Sequence, residues 1–487
     1  MSKTNAIIGM PAWELSEHIH TKKVSCKEVM TIFLDHIDKV NPKINGIVAL
    51  QDRDDLLRQA EEKDRVLASG ESDGWMHGFP QAAKDLEDNM GIPSTWGSLV
   101  LKDNIPKADA LMTRRLKSAG SIMIGRTNTP EHGLGSHTYN KVYGTTRNPY
   151  DQSLSAGGSS GGAAASVATG TLPVADGTDF MGSLRNPAGW CNVYGFRPSW
   201  GRVPGGVELF MNNFSTKGSM GRNVADIALH LASISGYYPA IPFSMEKDPD
   251  LDSLTPKNVN ARLRADHKGK KIAWLGNWEG HLPMEDGVTD LCEQALKYFN
   301  ELGMQVEAAA PLIDGEFFWN EIWLPLRHFA MTSQKANCEN PEKRKLVKPE
   351  LIYEYEGSLR YSAQDIYAAT MKRSDLFRNT LKLFDKYDYF ALPTAQLFAF
   401  DAAWDWPKEI AGKKMNSYHR WMEVVAVFTM IGCPVVGLPA GFNAMGKSMG
   451  LQIMGKPRGD FDVLQLAHAY EQVADWVNRF PPELLKL

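Results

Sequence analysis

The chain has 487 residues, of which 43% are hydrophobic and 23% charged, with a formal net charge of -4; at ~100–200 residues per domain that is enough chain for roughly two to four domains and a large core. The charge balance leaves no basic footprint for a nucleic-acid backbone, and no stretch approaches the ~18 apolar residues of a membrane span. Cys26, Cys191, Cys292, Cys338 and Cys433 are scattered without the paired spacing of a zinc site or a disulfide frame, and the N-terminal apolar stretch is too short for a secretory signal, so reduced thiols in a cytoplasmic protein are expected.

Taken in chain order, the first clear element is a helix opened by Ser25 and Glu28, an S-x-x-E capping box. It carries Val29, Ile32, Phe33, Ile37 and Val40 on one face and should stop at Pro42. Residues 163–168 are small and helix-forming, directly after a glycine-rich loop. Residues 240–270 are rich in Pro, Asp, Lys and Asn and read as a surface excursion or a linker. Short apolar runs at 271–275, 389–392, 435–438 and 451–454 have strand length, whereas 287–302 has helical periodicity. Asp460 is expected to cap a last helix with Val463, Leu464, Leu466, Ala467 and Tyr470 on its buried face. Alternation of strand and helix argues an α/β architecture, and no internal repeat or long linker divides the chain.

One segment stands apart. Residues 156–162 read AGGSSGG, and after an apolar run residues 176–187 read DGTDFMGSLRNP. Glycine lacks a Cβ and tolerates positive φ, so such loops let N–H groups converge on a negative oxygen. The phosphate-binding patterns are absent: no Lys follows the loop, and the glycines come in pairs. An oxyanion site or a plain tight turn packed on a sheet remains.

The two blocks together, about fifty residues from GGSSGG to WGRVP, resemble the amidase signature family in order and spacing. FPQAAKDLEDNMGIPSTWGS, IGRTNTPEHG, GTTRNPYD and GCPVVGLPAGFNAMGKSMGLQIMG resemble its other blocks, so the likeness spans nearly the whole chain and thins between about 240 and 380. What the resemblance implies is a single amidase-signature domain over residues 1–487: a central mixed twisted β-sheet flanked on both faces by α-helices. Its family-typical core would lie at about 1–235 and 385–487, and a more variable, substrate-side segment at about 240–380. It also implies an enzyme that hydrolyses a carboxylic amide without metal or cofactor, acts on a small molecule, and works as a monomer or homodimer.

Carried over by motif, the nucleophile falls on Ser183, and its proton would pass through Ser159, preceded by a cis peptide, to Lys84. A serine hydroxyl needs such help, because it is a poor nucleophile near pH 7. A lysine is a base only when neutral, so burial must pull Lys84 below its ordinary pKa of about 10.4. Ala82, Ala83 and Leu86 suit that burial, and strand alternation should turn Asp85 to the opposite face. Backbone N–H groups of Phe180, Met181, Gly182 and Ser183 would hold the oxyanion. Gly158, Ser160, Asp179 and Arg185 would support the loop and the turn. Met181 departs from the family pattern by replacing the first Gly of GGS, where any positive φ would strain it, so an altered acyl pocket is expected. An impaired homologue is the alternative.

Among the twelve histidines none forms an H-E-x-x-H arrangement; His77 and His132 only neighbour motif blocks. Phe317, Phe318, Trp319 and Trp323, with Phe398, Phe400, Trp404 and Trp406, supply either core packing or a pocket for a hydrophobic or aromatic amide. The family also contains the glutaminase component of a tRNA-dependent amidotransferase, whose pocket needs charged groups for the two ends of glutamine.

Overall fold

The structure is a computed structural model and describes residues 3–205 and 214–486. Every strand expected from an apolar run is present, and all four lie side by side. An eight-stranded mixed sheet runs in the order Gln305–Ala308, Lys271–Trp274, Tyr389–Pro393, Ser448–Met454, Val435–Phe442, Tyr194–Arg197, Thr216–Gly221, Ala175–Asp179. The first three strands are mutually parallel and every later pair is antiparallel. The inner strands are buried along nearly their whole length, which explains why they read as continuous apolar runs without alternation.

The helix Val288–Glu301 covers part of this sheet with Val288, Leu291, Cys292, Ala295, Leu296 and Phe299 buried, three and four residues apart as expected. The short helix Arg185–Trp190 lies closer still. A Cβ on Gly189 would come within 2.8 Å of the Gly450 backbone, so these two glycines permit helix and strand to touch main chain to main chain. A separate three-stranded sheet, with Ile122–Thr127 between Ile47–Val48 and Pro80–Lys84, stands beside the large one.

Three local expectations are corrected. The helix Cys26–Ile44 runs through Pro42 and ends on Asn45 in the left-handed region; the proline forfeits one bond to the Asp38 carbonyl, and only Lys43 and Ile44 lie beyond it for a kink to displace. Ser25 does cap it, accepting the Glu28 N–H at 3.0 Å. Asp460 is not a cap. The final helix, Asp460–Ala474, starts after Gly459, and the Asp460 carboxylate instead accepts the Ser199 N–H at 2.7 Å and pairs with Arg202. Residues 240–270 are no linker, because they form the short helices Pro249–Asp252 and Val259–Arg262 and bury Leu251, Val259 and Leu263. The five cysteines are buried and unpaired. Among the described residues no helix is long and apolar enough to cross a membrane.

Candidate active site

Lys84 ends the strand Pro80–Lys84, where three constraints fix it. Its N–H donates to Asp176 Oδ2 at 3.0 Å. Its carbonyl accepts the N–H groups of Leu86 and Glu87 at 2.7 and 2.9 Å, so the chain turns at once, and Arg126 Nη2 donates to the same oxygen at 2.9 Å. Asp85 does face away: its carboxylate accepts from Thr95 N and Oγ1 and from Gly97 N.

The Lys84 side chain is fully buried and its Nζ meets three hydroxyls, Ser159 Oγ at 2.8 Å, Ser160 Oγ at 2.9 Å and Thr178 Oγ1 at 2.9 Å. Burial pushes the ammonium down to about 7, against the opposing pull of Asp176, Asp179 and Glu87. A neutral amine has two protons and one lone pair. Ser160 Oγ already donates its own proton to Thr178 O, so it can only accept from Lys84. Ser159 Oγ and Thr178 Oγ1 are left as the hydroxyls with a proton available for that lone pair.

Ser159 follows a cis peptide bond from Gly158. The loop around it is held by Thr138, whose Oγ1 donates to Gly157 O at 2.8 Å, and by Asn186, whose Oδ1 accepts the Gly158 N–H at 3.3 Å. The next residue ties the loop to the second motif, as Ser160 N–H donates to Ser183 O at 3.2 Å.

The turn 180–183 is organised by Asp179. Its carboxylate accepts the N–H of Gly182 at 2.8 Å and of Leu184 at 3.1 Å, and Arg185 clamps both its oxygens at 3.0 Å. Arg185 continues to Val425 O, Gln452 Oε1 and Thr429 Oγ1. Although burial opposes ionisation, the Arg185 guanidinium holds the Asp179 carboxyl down at about 2. The left-handed φ of the turn, +81°, falls on Gly182, where a Cβ would also strike Val425 at 2.7 Å. Met181 escapes the strain expected of it because the glycine that needs positive φ has been kept.

Ser183 and Met181 share a small enclosed cavity with Gly133, Gly135, Ser136, Phe180, Arg327 and Met422. The two aromatic segments contribute none of this lining. Phe318, Trp319, Trp323, Phe398 and Phe400 are core residues, Phe317 and Trp404 are exposed; Trp323 approaches with its ring edge-on to Phe180 at 5.9 Å between centroids, and Trp406 lines a neighbouring cavity that shares Gly135 and Ser136. His77 bonds the Lys63 carbonyl at 2.9 Å, and His132 packs edge-on against Trp96. Neither contacts Lys84, Ser159 or Ser183 through a hydrogen bond. Sequence reading missed Asp176 and Thr178 as partners of Lys84, although their alternation along Ala175–Asp179 puts both on one face. It also missed Arg327 and Met422, which no motif marks.

The amidase family model matches residues 28–464. The chain belongs to the amidase family. An acylamidase from Rhodococcus erythropolis is 34% identical over 480 residues, covering 98% of each chain. A component of the glutamyl-tRNA(Gln) amidotransferase of Cyanothece sp. is 31% identical over 494 residues, covering 96% of this chain and 98% of its own. Among solved structures, a bacterial aryl acylamidase of the amidase signature enzymes superposes with a TM-score of 0.87 at 29% identity, with 98% of both chains covered. The protein is thus an amidase, a hydrolase acting on amide carbon–nitrogen bonds, and its mixed sheet flanked by helices is the amidase-signature architecture.

This amidase keeps the glycine-rich loop, Lys84 and the turn 180–183 in contact through hydrogen bonds of ordinary length. Its departure at Met181 is confined to the wall of the cavity beside Ser183.

Proposed function

We propose that this amidase hydrolyses uncharged acyl amides with an apolar or aromatic amine part through a Ser183 acyl-enzyme, with Ser159 and Lys84 carrying the proton. The observation that supports it most is Lys84: a fully buried amine held by three hydroxyls and poised at about 7, close to where a general base is most effective.

In the reaction so read, Ser183 Oγ attacks the amide carbon as its proton moves to Ser159, whose own proton goes to the Lys84 lone pair. The tetrahedral oxyanion is met by N–H groups of the turn. That of Gly182 is already given to Asp179, so Phe180, Met181 and Ser183 are the donors proposed, each worth about 3 kcal/mol in the transition state. The proton then returns along the same path to the departing nitrogen as the carbon–nitrogen bond breaks. Water repeats the cycle on the ester and releases the acid. Gly158, Ser160, Thr178, Asp179 and Arg185 position these groups without touching the reacting atoms.

The glutaminase alternative is less well supported. Glutamine would bring an ammonium and a carboxylate to Ser183, and the described cavity wall offers a guanidinium but no carboxylate. The similarity to the acylamidase and the aryl acylamidase favours an anilide-type substrate instead. Turnover of a panel of aliphatic and aryl amides by wild type, Ser183→Ala, Ser159→Ala and Lys84→Ala tests the reading: the wild type should cleave aryl amides and each variant should lose at least ~100-fold in kcat. Equal turnover by Ser183→Ala would refute it, and release of ammonia from free glutamine would favour the alternative.

A further inference from the structure

The cavity beside Ser183 has one charged wall. Arg327 lies on the helix Leu324–Ala330, immediately after a π-helical turn at Trp319–Trp323, a feature that re-aims the side chains beyond it and is frequent at functional sites. The guanidinium is 5% exposed and lies over the Phe180 ring at 4.5 Å. Its Nε donates to Glu354 Oε1 at 2.7 Å and its Nη2 to the Tyr418 hydroxyl at 2.9 Å. Nη1 has no acceptor among the described residues, and Arg327 forms the cavity wall together with Met181, Ser183 and Met422.

Building on the acyl-enzyme reading above, we propose that Arg327 is a specificity-determining residue whose Nη1 donates to an uncharged acceptor oxygen on a short acyl group. The preferred substrates are then amides of small hydroxy acids, with the apolar bulk on the amine.

The acyl part stays bonded to Ser183 while the amine leaves first, so the acyl part belongs in the enclosed cavity that Ser183 lines. That space holds about one or two water-sized groups in all, which limits the acyl chain. The charge on Arg327 is already balanced by Glu354, which also meets His328 Nδ1 at 2.8 Å. A substrate carboxylate would add an unbalanced charge to a buried site, whereas a purely alkyl chain would leave the Nη1 donor dry and unpaired. A neutral oxygen satisfies the donor without either penalty.

The test uses two 4-nitroanilides of equal heavy-atom count, hydroxyacetyl and propionyl, with malonyl as a third probe. Oxygen also activates the carbonyl electronically, so the ratio of kcat/KM for hydroxyacetyl over propionyl is referred to the same ratio in hydroxide hydrolysis. Wild type should exceed that reference about tenfold, as a hydrogen bond to a charged donor gives, and Arg327→Met should fall back to it. Because Arg327→Met strands Glu354, the double variant Arg327→Met with Glu354→Gln, checked by thermal unfolding, should give the same fall. A wild-type ratio equal to the hydroxide reference, a ratio kept by either variant, or faster cleavage of the malonyl anilide would overturn the proposal. Failure of the underlying mechanism looks different, because Ser183→Ala would then cleave these anilides as fast as wild type.

Discussion

Protonation of Lys84 is the perturbation on which the mechanism depends most. An unburied lysine would be neutral in only about 3 molecules per 10,000 at pH 7, whereas a group poised at about 7 is neutral in roughly half of them. The rate constant kcat/KM for an anilide should therefore be flat above about pH 8 and fall about tenfold per unit below about pH 6. The same depression has a stability consequence. The unfolded chain keeps the lysine proton up to its ordinary value of 10.5, the native protein only to about 7. Between those limits the unfolded state binds about one more proton, so native stability rises with pH by about 1.4 kcal/mol per unit and the contribution is flat below about pH 7. In urea titrations wild type should gain about 3 kcal/mol between about pH 7.5 and 9.5 relative to Lys84→Met, which lacks the titrating group. Full activity at pH 5, or parallel stability curves for the two proteins, would refute the reasoning.

Asp176→Asn removes the carboxylate that most opposes the depression of Lys84, so the acid limb of the pH profile should move to lower pH while the plateau survives; an unmoved or raised limb would contradict it. Gly182→Ala combines a positive φ with a Cβ thrust 2.7 Å from Val425 and should cost stability by at least about 1–3 kcal/mol and abolish turnover, read by thermal melts and anilide assay. Met181→Gly leaves the turn's positive φ on Gly182, so it should retain activity and shift preference toward bulkier acyl groups, with a loss of about 2–5 kcal/mol for the vacated volume; an inactive but folded variant would argue against this. Arg185→Met takes from the buried Asp179 its two-oxygen clamp and leaves it Arg197 at 3.6 Å, and unfolding should be easier by about 3 kcal/mol in denaturant titration.

The linear sequence determined a good deal. Period and run length located the strands of the sheet's middle and the helix Val288–Glu301, because burial on two faces or on one stripe leaves a local imprint on residue choice. The motif blocks singled out Lys84, Ser159, Ser160 and Ser183, which hydrogen bonds join, and Asp179, which holds the turn that carries Ser183. Cap assignment was less secure: Asp460 stands where a cap is expected, yet its carboxylate serves residues about 260 positions earlier, Ser199 and Arg202. Local chemistry cannot reveal such a partner.

Only the tertiary structure decided what Lys84 is. Its depressed proton affinity comes from total burial, its three hydroxyl partners come from two separate segments, and a residue's solvation is a property of everything packed around it. The same holds for the cavity. Arg327 and Met422 lie about 140 and 240 residues beyond Ser183 in the chain, in segments with no motif, and reach it only through tertiary packing. Long-range contacts of this kind carry no periodicity, so nothing local in the sequence could announce them.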